Sequence, residues 1–311
     1  MSTQIVSIDD GNQITVKDII GNPLWIPTRI VELLAGAFIE EDLLRDAGPS
    51  INGLVAYEKS RPLYFGDEPA ELVEFEEIPV AAGSKGTPAI AVGTKKGLGV
   101  RISREMKDEN RTGEVAAQIT QLVNTFIRSR SRALRALLLD PSIPSIPAAA
   151  AWDTANGKPR SDLAQAMEVI GSANQSGAPD GEDEYGFEAD TTVLPTSLTP
   201  VLMDNENFLS VYKDSLSTQD IRYTGKLERA IMGMVGLQTR HWPKDRVLVC
   251  ERGTLGFRSD ARKLESTVLY PEGNGPNGGA TESYRSDTTA KRTMGVDQPL
   301  AACWITGVVT P

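Results

Sequence analysis

The chain has 311 residues, of which 40% are apolar and 24% charged, with a formal net charge of −10. That length can bury a sizeable core in one large or two modest domains, and the acidic balance argues against a dedicated nucleic-acid binder while leaving room for a local basic face. No apolar run approaches the ~20 residues that cross a bilayer, and the N-terminus has neither a basic segment nor a signal-like apolar core.

Residues 1–26 hold short apolar pieces around Ile5, Val6 and Ile8, then Ile14, Val16, Ile19 and Ile20, divided by turn dipeptides and followed by Pro23. They predict an extended arm with little core of its own. Residues 28–47 predict one helix with Ile30, Leu33, Leu34, Ala37 and Phe38 on its apolar face, stopped by Gly48-Pro49. From 51 to 103 the pattern changes to short strands, at 53–57, 71–75, 88–92 and 98–103. Proline, glycine and charge separate them, and a turn-rich tip at 82–88 carries Lys85. Such a two-stranded excursion is marginal alone and needs another surface to lie on.

A charged hinge at 104–111 leads into the longest helical pattern, residues 112–139. Val115, Ile119, Leu122, Phe126, Ala133 and Leu137 recur at steps of three, four and seven, so they share one face. Thr112 is the expected N-cap, Glu114 suits the positive end of the dipole, and Asp140-Pro141 ends the run. At 1.5 Å per residue the helix is a beam of roughly 40 Å. Residues 141–147 then form a proline-rich connector and a domain boundary.

Beyond the connector, a helix is predicted from 161, with Leu163, Ala166, Met167 and Ile170 on one face. A polar acidic loop at 174–190 follows, then strand-like pieces over 191–203 and a short helix over 226–237 carrying Leu227, Ile231 and Val235. Strands at 246–250 and 265–270 precede a glycine-rich loop at 273–279, and the last segments lie at 283–286 and 291–309. There is no internal repeat.

No catalytic constellation emerges. His241 is the single histidine, which leaves no HExxH and points to a structural or surface role. Cys250 and Cys303 are far apart and flanked by apolar residues, as buried thiols of a reducing compartment are; they build neither a zinc cluster nor a disulfide framework. Gly273, Gly275 and Gly278 match GxGxxG, but Pro276 interrupts the motif and no apolar helix follows, so a loop is expected. Asp180, Glu182, Asp183, Glu184, Glu188 and Asp190 do not have the spacing of a calcium loop. Arg128, Arg132 and Arg135, at i, i+4 and i+7, make a basic stripe on the long helix, with Arg130 on another side. The stripe suits the helix dipole and surface ion pairs; it equally suits a neighbouring chain's acids or a phosphate backbone. An arm, an excursion and a beam are surfaces that a monomer does not satisfy, and they point to a self-assembling structural protein.

From about residue 19 to 309 the chain resembles the major capsid proteins of tailed bacteriophages with the Hong Kong 97-type fold, particularly those of phages of actinobacteria. The resemblance rests on residues 95–106 (KKGLGVRISREM), 247–257 (VLVCERGTLGF) with Asp260, and 296–302 (VDQPLAA) leading to 305–307 (ITG). It implies an α+β fold with an N-terminal arm (1–50) and an extended E-loop (51–104). It also implies a peripheral domain with a long spine helix (105–150 and 244–298) and an axial domain (151–243 and 299–311). The implied role is a shell of pentamers and hexamers around double-stranded DNA held without sequence-specific contacts. The implied partners are copies of itself, a portal and decoration proteins; because too few residues precede the arm for a cleaved scaffolding region, the implied scaffold is a separate protein or none. No cofactor, membrane association or enzymatic activity is implied. The implied location is the virion capsid, assembled in the host cytoplasm. Lys85 lies in the loop that forms isopeptide crosslinks in some relatives, but the asparagine and glutamate of that chemistry have no match here, so no crosslink is expected. Lys85, Arg128, Arg132 and Arg135 are the candidate intersubunit or DNA-facing contacts. Two alternatives remain open: an encapsulin-type compartment with the same fold, and a soluble enzyme using residues 273–278 for a nucleotide.

Overall fold

The structure, a computed structural model, describes residues 15–177, 183–209, 230–273 and 281–310, with the backbone of 8–9 and 12–13. The N-terminal segment pairs β1 (Ile8–Asp9) with β2 (Asn12–Gln13) and then forms α1 (Val16–Gly21). Thr15 and Asp18 close a reciprocal capping box at the start of α1. Expected to be extended with little core of its own, the segment is helical here and buries Val16 and Ile19 in a core shared with Ile26, Ile30 and Val115. The helix predicted over 28–47 is instead two, α2 (Trp25–Leu34) and α3 (Ile39–Leu43), followed by β3 (Arg45–Asp46). The break falls at Gly36, whose φ of 67° takes the chain out of helical geometry.

The excursion is β4 (Leu54–Lys59) paired antiparallel with β5 (Thr87–Val92). The strand expected at 71–75 does not form; those residues are irregular and exposed, with no partner strand to take their backbone groups. β6 (Thr94–Ser103) runs on into α4 (Arg104–Asp108) and the long helix α5 (Thr112–Leu138). Arg111, not Thr112, occupies the N-cap position of α5.

β7 (Ser145–Pro147) turns the proline-rich connector into an edge strand, where missing N–H donors are tolerated. α6 (Pro159–Gly171) buries Leu163, Ala166 and Ile170 as predicted. β8 (Thr191–Pro195) is a strand, but α7 (Leu198–Asp204) and α8 (Glu206–Leu209) follow, with Leu198 and Leu202 one turn apart on the buried face. The helix expected over 226–237 is overturned where it is described: β9 (Ala230–Ile231) and β10 (Met234–Thr239) form a hairpin turned at Met232 and Gly233, both at positive φ. The i, i+4 spacing of Ile231 and Val235 was a coincidence of short runs.

β11 (Arg246–Cys250) matches its prediction, whereas the next strand, β12 (Gly256–Ser266), lies almost wholly before the expected 265–270. β13 (Tyr270–Pro271) and β14 (Ser283–Val296) follow. A 3-10 turn at Pro299–Ala301 then leads to β15 (Ala302–Thr306).

Two sheets organise the chain. The first has the order β7-β15-β11-β8-β10-β9. Its strands alternate between two cores: Val247, Val249, Cys303 and Ile305 face α6 and α7, while Leu248, Cys250, Ala302 and Trp304 face the C-terminal end of α5. The second is built on β14, which pairs with β6 along one edge and with β12 and β13 along the other. This grouping moves β11, expected with residues 244–298, into the sheet of β8 and β15.

The long helix belongs to the second of these cores and to a third, built with the N-terminal helices. Val115, Ile119, Leu122 and Phe126 pack with α1, α2 and β6, whereas Leu134 and Leu138 pack with Trp242 and Trp304. The buried line of its second half therefore runs through Arg130, Leu134 and Leu138 rather than the predicted Ala133 and Leu137, which are half-buried.

Candidate contact surfaces and the charge cluster between the cores

Arg130 sits where α5 passes from one core to the other. A helix turns about 100° per residue, so two positions carry it about 200° away from Arg128. That is the buried side. Only 4% of Arg130 is exposed, and its guanidinium lies over the Phe38 ring at 5.6 Å. Around it gather side chains from four further elements. Arg292 of β14 bonds Asp260 of β12 through Nε at 2.6 Å and Nη2 at 2.9 Å, and reaches Glu40 at 3.2 Å and Glu41 at 2.8 Å, both on α3. Lys96 of β6 donates to the Ser129 carbonyl at 3.1 Å and to its Oγ at 3.0 Å.

Glu40 is fully buried, and burial raises its carboxyl pKa although Arg292 and Arg130 oppose the shift. Burial likewise lowers the pKa of Arg130, with Arg292 adding to the effect. For Arg292 burial is outweighed by its hydrogen bonds to Asp260 and Glu41, and its pKa rises. Three cations thus face three carboxylates in a water-poor seam. The arrangement locks α3, α5, β6, β12 and β14 together. Sequence reasoning missed it; the one available signal was an arginine on the apolar side of the helix.

The outward stripe forms as predicted. Arg128 and Arg132 are exposed and Arg135 half-buried. His241 lies beside them, and burial together with Arg240, Arg128 and Arg132 lowers its pKa. Spacing in the sequence gave no reason to join these residues.

The excursion is anchored at its foot. Tyr57 packs edge-on to Phe257 with ring centroids 5.0 Å apart, Lys59 bonds Asp140 at 2.7 Å, and Lys291 donates to the Asn52 carbonyl at 2.7 Å. Gly295 permits the aromatic contact, since a Cβ there would stand 2.6 Å from the Phe257 ring. Farther out, Gln175 accepts from the Leu63 and Tyr64 amides at 3.0 Å each. The outer segment then carries its apolar side chains in solvent: Phe75 is 98% exposed, Val80 96% and Val73 75%. Asp67, Glu68, Glu71, Glu74, Glu76 and Glu77 are interleaved with them, and no cation occurs between Arg61 and Lys85. Lys85 is exposed at the rim of a concavity shared with Arg45, Arg61, Glu58, Asp297 and Gln298, and no asparagine lines it.

Other sequence candidates separate. Cys250 and Cys303 are buried free thiols on adjacent strands that face opposite cores, and burial raises the Cys303 thiol to about 11. Of the glycine motif only Gly273 is described; Gly275, Pro276 and Gly278 lie outside the described residues, as do Asp180 and Glu182. Asp183 is bonded to Ser176. Among the described residues no group of three or more histidine, cysteine or acidic side chains converges to hold a metal, and no helix is long and apolar enough to cross a membrane.

Comparison with known proteins gives a consistent answer. A family model described as phage capsid protein matches residues 87–226. The fold is similar to the capsid of cyanophage P-SCSP1u, with a TM-score of 0.59 and 12% identity, over 88% of this chain and 89% of that one. It is similar to a virus-like particle from Pyrococcus furiosus, with a TM-score of 0.56 and 9% identity, over 90% of this chain and 97% of that one. It is also similar to a chain of Gordonia phage Cozz, with a TM-score of 0.55 and 13% identity, over 85% and 82% of the two chains. None of the curated proteins matches the chain significantly in sequence.

Proposed function

We propose that the chain belongs with the phage capsid proteins of the Hong Kong 97-type fold, and that its copies close into an icosahedral shell of pentamers and hexamers around double-stranded DNA. It is a major capsid protein of a tailed phage, it self-assembles, and its place is the virion capsid. The observation that carries the shell geometry is the outer excursion, where large apolar side chains are held in solvent on a foot that is firmly bonded to the body. Exposed apolar patches of this kind mark surfaces that a partner covers. A neighbouring copy is the partner that an assembling shell supplies.

In this reading residues 1–50 are the arm and 51–104 the E-loop. Sheet membership supports a peripheral domain of about 105–140 and 251–298, and an axial domain of about 141–250 and 299–311. Lys85, with the outer E-loop, contacts a neighbouring subunit, and the stripe of Arg128, Arg132 and Arg135 faces either a neighbour or the genome. A portal, decoration proteins and a separate scaffolding protein complete the particle, which forms in the host cytoplasm. The role is structural rather than enzymatic.

The test is sedimentation velocity on the purified chain, with electron microscopy of the same sample. Closed particles, pentamers or hexamers are the expected outcome. A folded monomer that stays monomeric with scaffolding protein present would overturn the proposal.

A further inference from the structure

Trp242 is buried with Leu134 and Leu138 of α5 and stacks on Trp304 at 5.4 Å between centroids. The Trp304 indole in turn donates to the Leu138 carbonyl at 2.7 Å. This packing holds the turn between β10 and β11 against the second half of α5. His241, at the start of that turn, lies within electrostatic reach of Arg128 and Arg132 as well as of its neighbour Arg240.

The resulting face is unusual for this chain in its charge. Arg128, Arg132 and Arg240 are exposed, and among the described residues neither they nor Arg135 has an acidic partner. Arginines elsewhere, such as Arg104, Arg111 and Arg285, pair with acids. The protein has 42 acids to 32 lysines and arginines, so a cluster of unpaired guanidinium groups is not a matter of supply. Like charges gathered on one face repel even in water, and an external anion removes that cost.

The face is also poor in apolar anchors. Among the described residues, α5 and residues 240–246 expose no large apolar side chain, and Leu139, just past α5 and four positions from Arg135, is the one exposed apolar neighbour on that side. A protein partner would be expected to bury apolar or aromatic residues at the centre of its contact. The acidic outer E-loop of a second copy is the available protein candidate, but it brings Val73 and Phe75, which this face cannot cover. Nucleic-acid interfaces are instead polar and strongly cationic.

We infer that Arg128, Arg132, Arg240 and His241, with Arg135, form one composite face that binds nucleic-acid phosphate without regard to sequence. The inference rests on the capsid reading for its ligand, the enclosed genome. Its guanidinium groups come from a helix and from a turn fixed by the Trp242–Trp304 stack. The face therefore presents a fixed array rather than a flexible tail, and planar guanidinium groups suit phosphate oxygens.

The test is fluorescence anisotropy of the full chain with a labelled mixed-sequence 30-base-pair duplex over a salt series. The triple variant R128Q/R132Q/R240Q should bind about tenfold or more weakly, and its log K against log salt slope should fall by about 2–3, the value for three lost phosphate contacts. The R128K/R132K/R240K variant keeps the charges and should keep most of the slope, which separates phosphate binding from damage to the fold. An unchanged slope in the glutamine variant would overturn the inference. So would loss of the slope in the folded lysine variant, or glutamine-variant chains that bind the duplex normally and form no particles, which would assign the face to a second copy. If the wild-type chain forms no particle under any condition the capsid reading fails, while the salt slopes still decide the face.

Discussion

The outer part of the excursion and the buried charge seam break the usual partition of side chains in opposite directions. Beyond Lys59 the chain carries Val73, Phe75 and Val80 in solvent; below it, Glu40, Arg130 and Arg292 are withdrawn from solvent. The outer segment is incomplete within one chain, because apolar area left in water forfeits about 25 cal/mol per Å² that a covering surface would recover. The seam is closed within one chain, because Arg292 of β14 bonds Glu40 and Glu41 of α3 and Asp260 of β12. One region leaves its apolar surface uncovered within the chain. The other fixes the body that presents it.

The strongest way to break this contrast is at Arg292. Arg292→Ala leaves Glu40, Glu41 and Asp260 without their shared cation, and should cost about 3–5 kcal/mol of stability, measured by urea unfolding of the unassembled chain. A loss below about 1 kcal/mol would mean that the seam is wet and loosely held. At the loop the outcome should invert. Phe75→Asp should leave the unfolding free energy of the isolated chain within about 0.5 kcal/mol. It should nonetheless raise the concentration at which particles form by roughly tenfold or more, as loss of a buried aromatic anchor does, read by light scattering.

Acid titration sharpens the same comparison. The Lys59 bond, followed by those from Ser142, holds Asp140 at about 2, and Arg101, followed by Ser283, holds Glu272 at about 2. Both are below the ordinary carboxylate value, so their contribution is fully present above the unfolded-state pKa and is lost as pH falls through about 2. Glu40 has the opposite sign. Its pKa is raised by burial, so between its ordinary value and the raised one the folded state holds more protons, and stability declines as pH rises through that window. Glu40→Gln should flatten that decline and leave the acid limb near pH 2 in place, read from urea midpoints across pH 2–7. Retention of the decline would remove Glu40 as its source.

The smallest effect belongs to the anchor at the foot of the loop. Lys59→Ala removes a partly exposed ion pair with Asp140 and should cost about 0.5–1 kcal/mol, measured by urea unfolding. Its larger consequence should be earlier proteolytic cleavage within residues 60–86, since one tie between loop and body is gone.

Much of this architecture is legible in the amino-acid order. Periodicity places α5 to within a residue and the alternation of Val100 and Ile102 marks β6. The turn-rich 82–88, expected as the tip of the excursion, instead lies beside its foot near Tyr57 and Asp297 and runs into β5. The failures share a cause. Residues 28–47 carry a continuous apolar pattern that Gly36 breaks by its backbone alone, and 191–203 and 226–237 are short runs whose state depends on their neighbours. Propensity is a weak prior over so few residues.

The candidate contacts divide in the same way. Helical geometry determined that Arg128, Arg132 and Arg135 share a side and that Arg130 does not, because the angle between residues on a helix is a local property. It could not decide which side meets a core. Only the tertiary structure placed Arg130 in the seam with Glu40 and Arg292, 90 and 162 positions away, and brought His241 to the arginine stripe. Local spacing is set by the covalent chain. Which charges become neighbours is set by how α3, α5 and β14 pack, and no one segment contains that information.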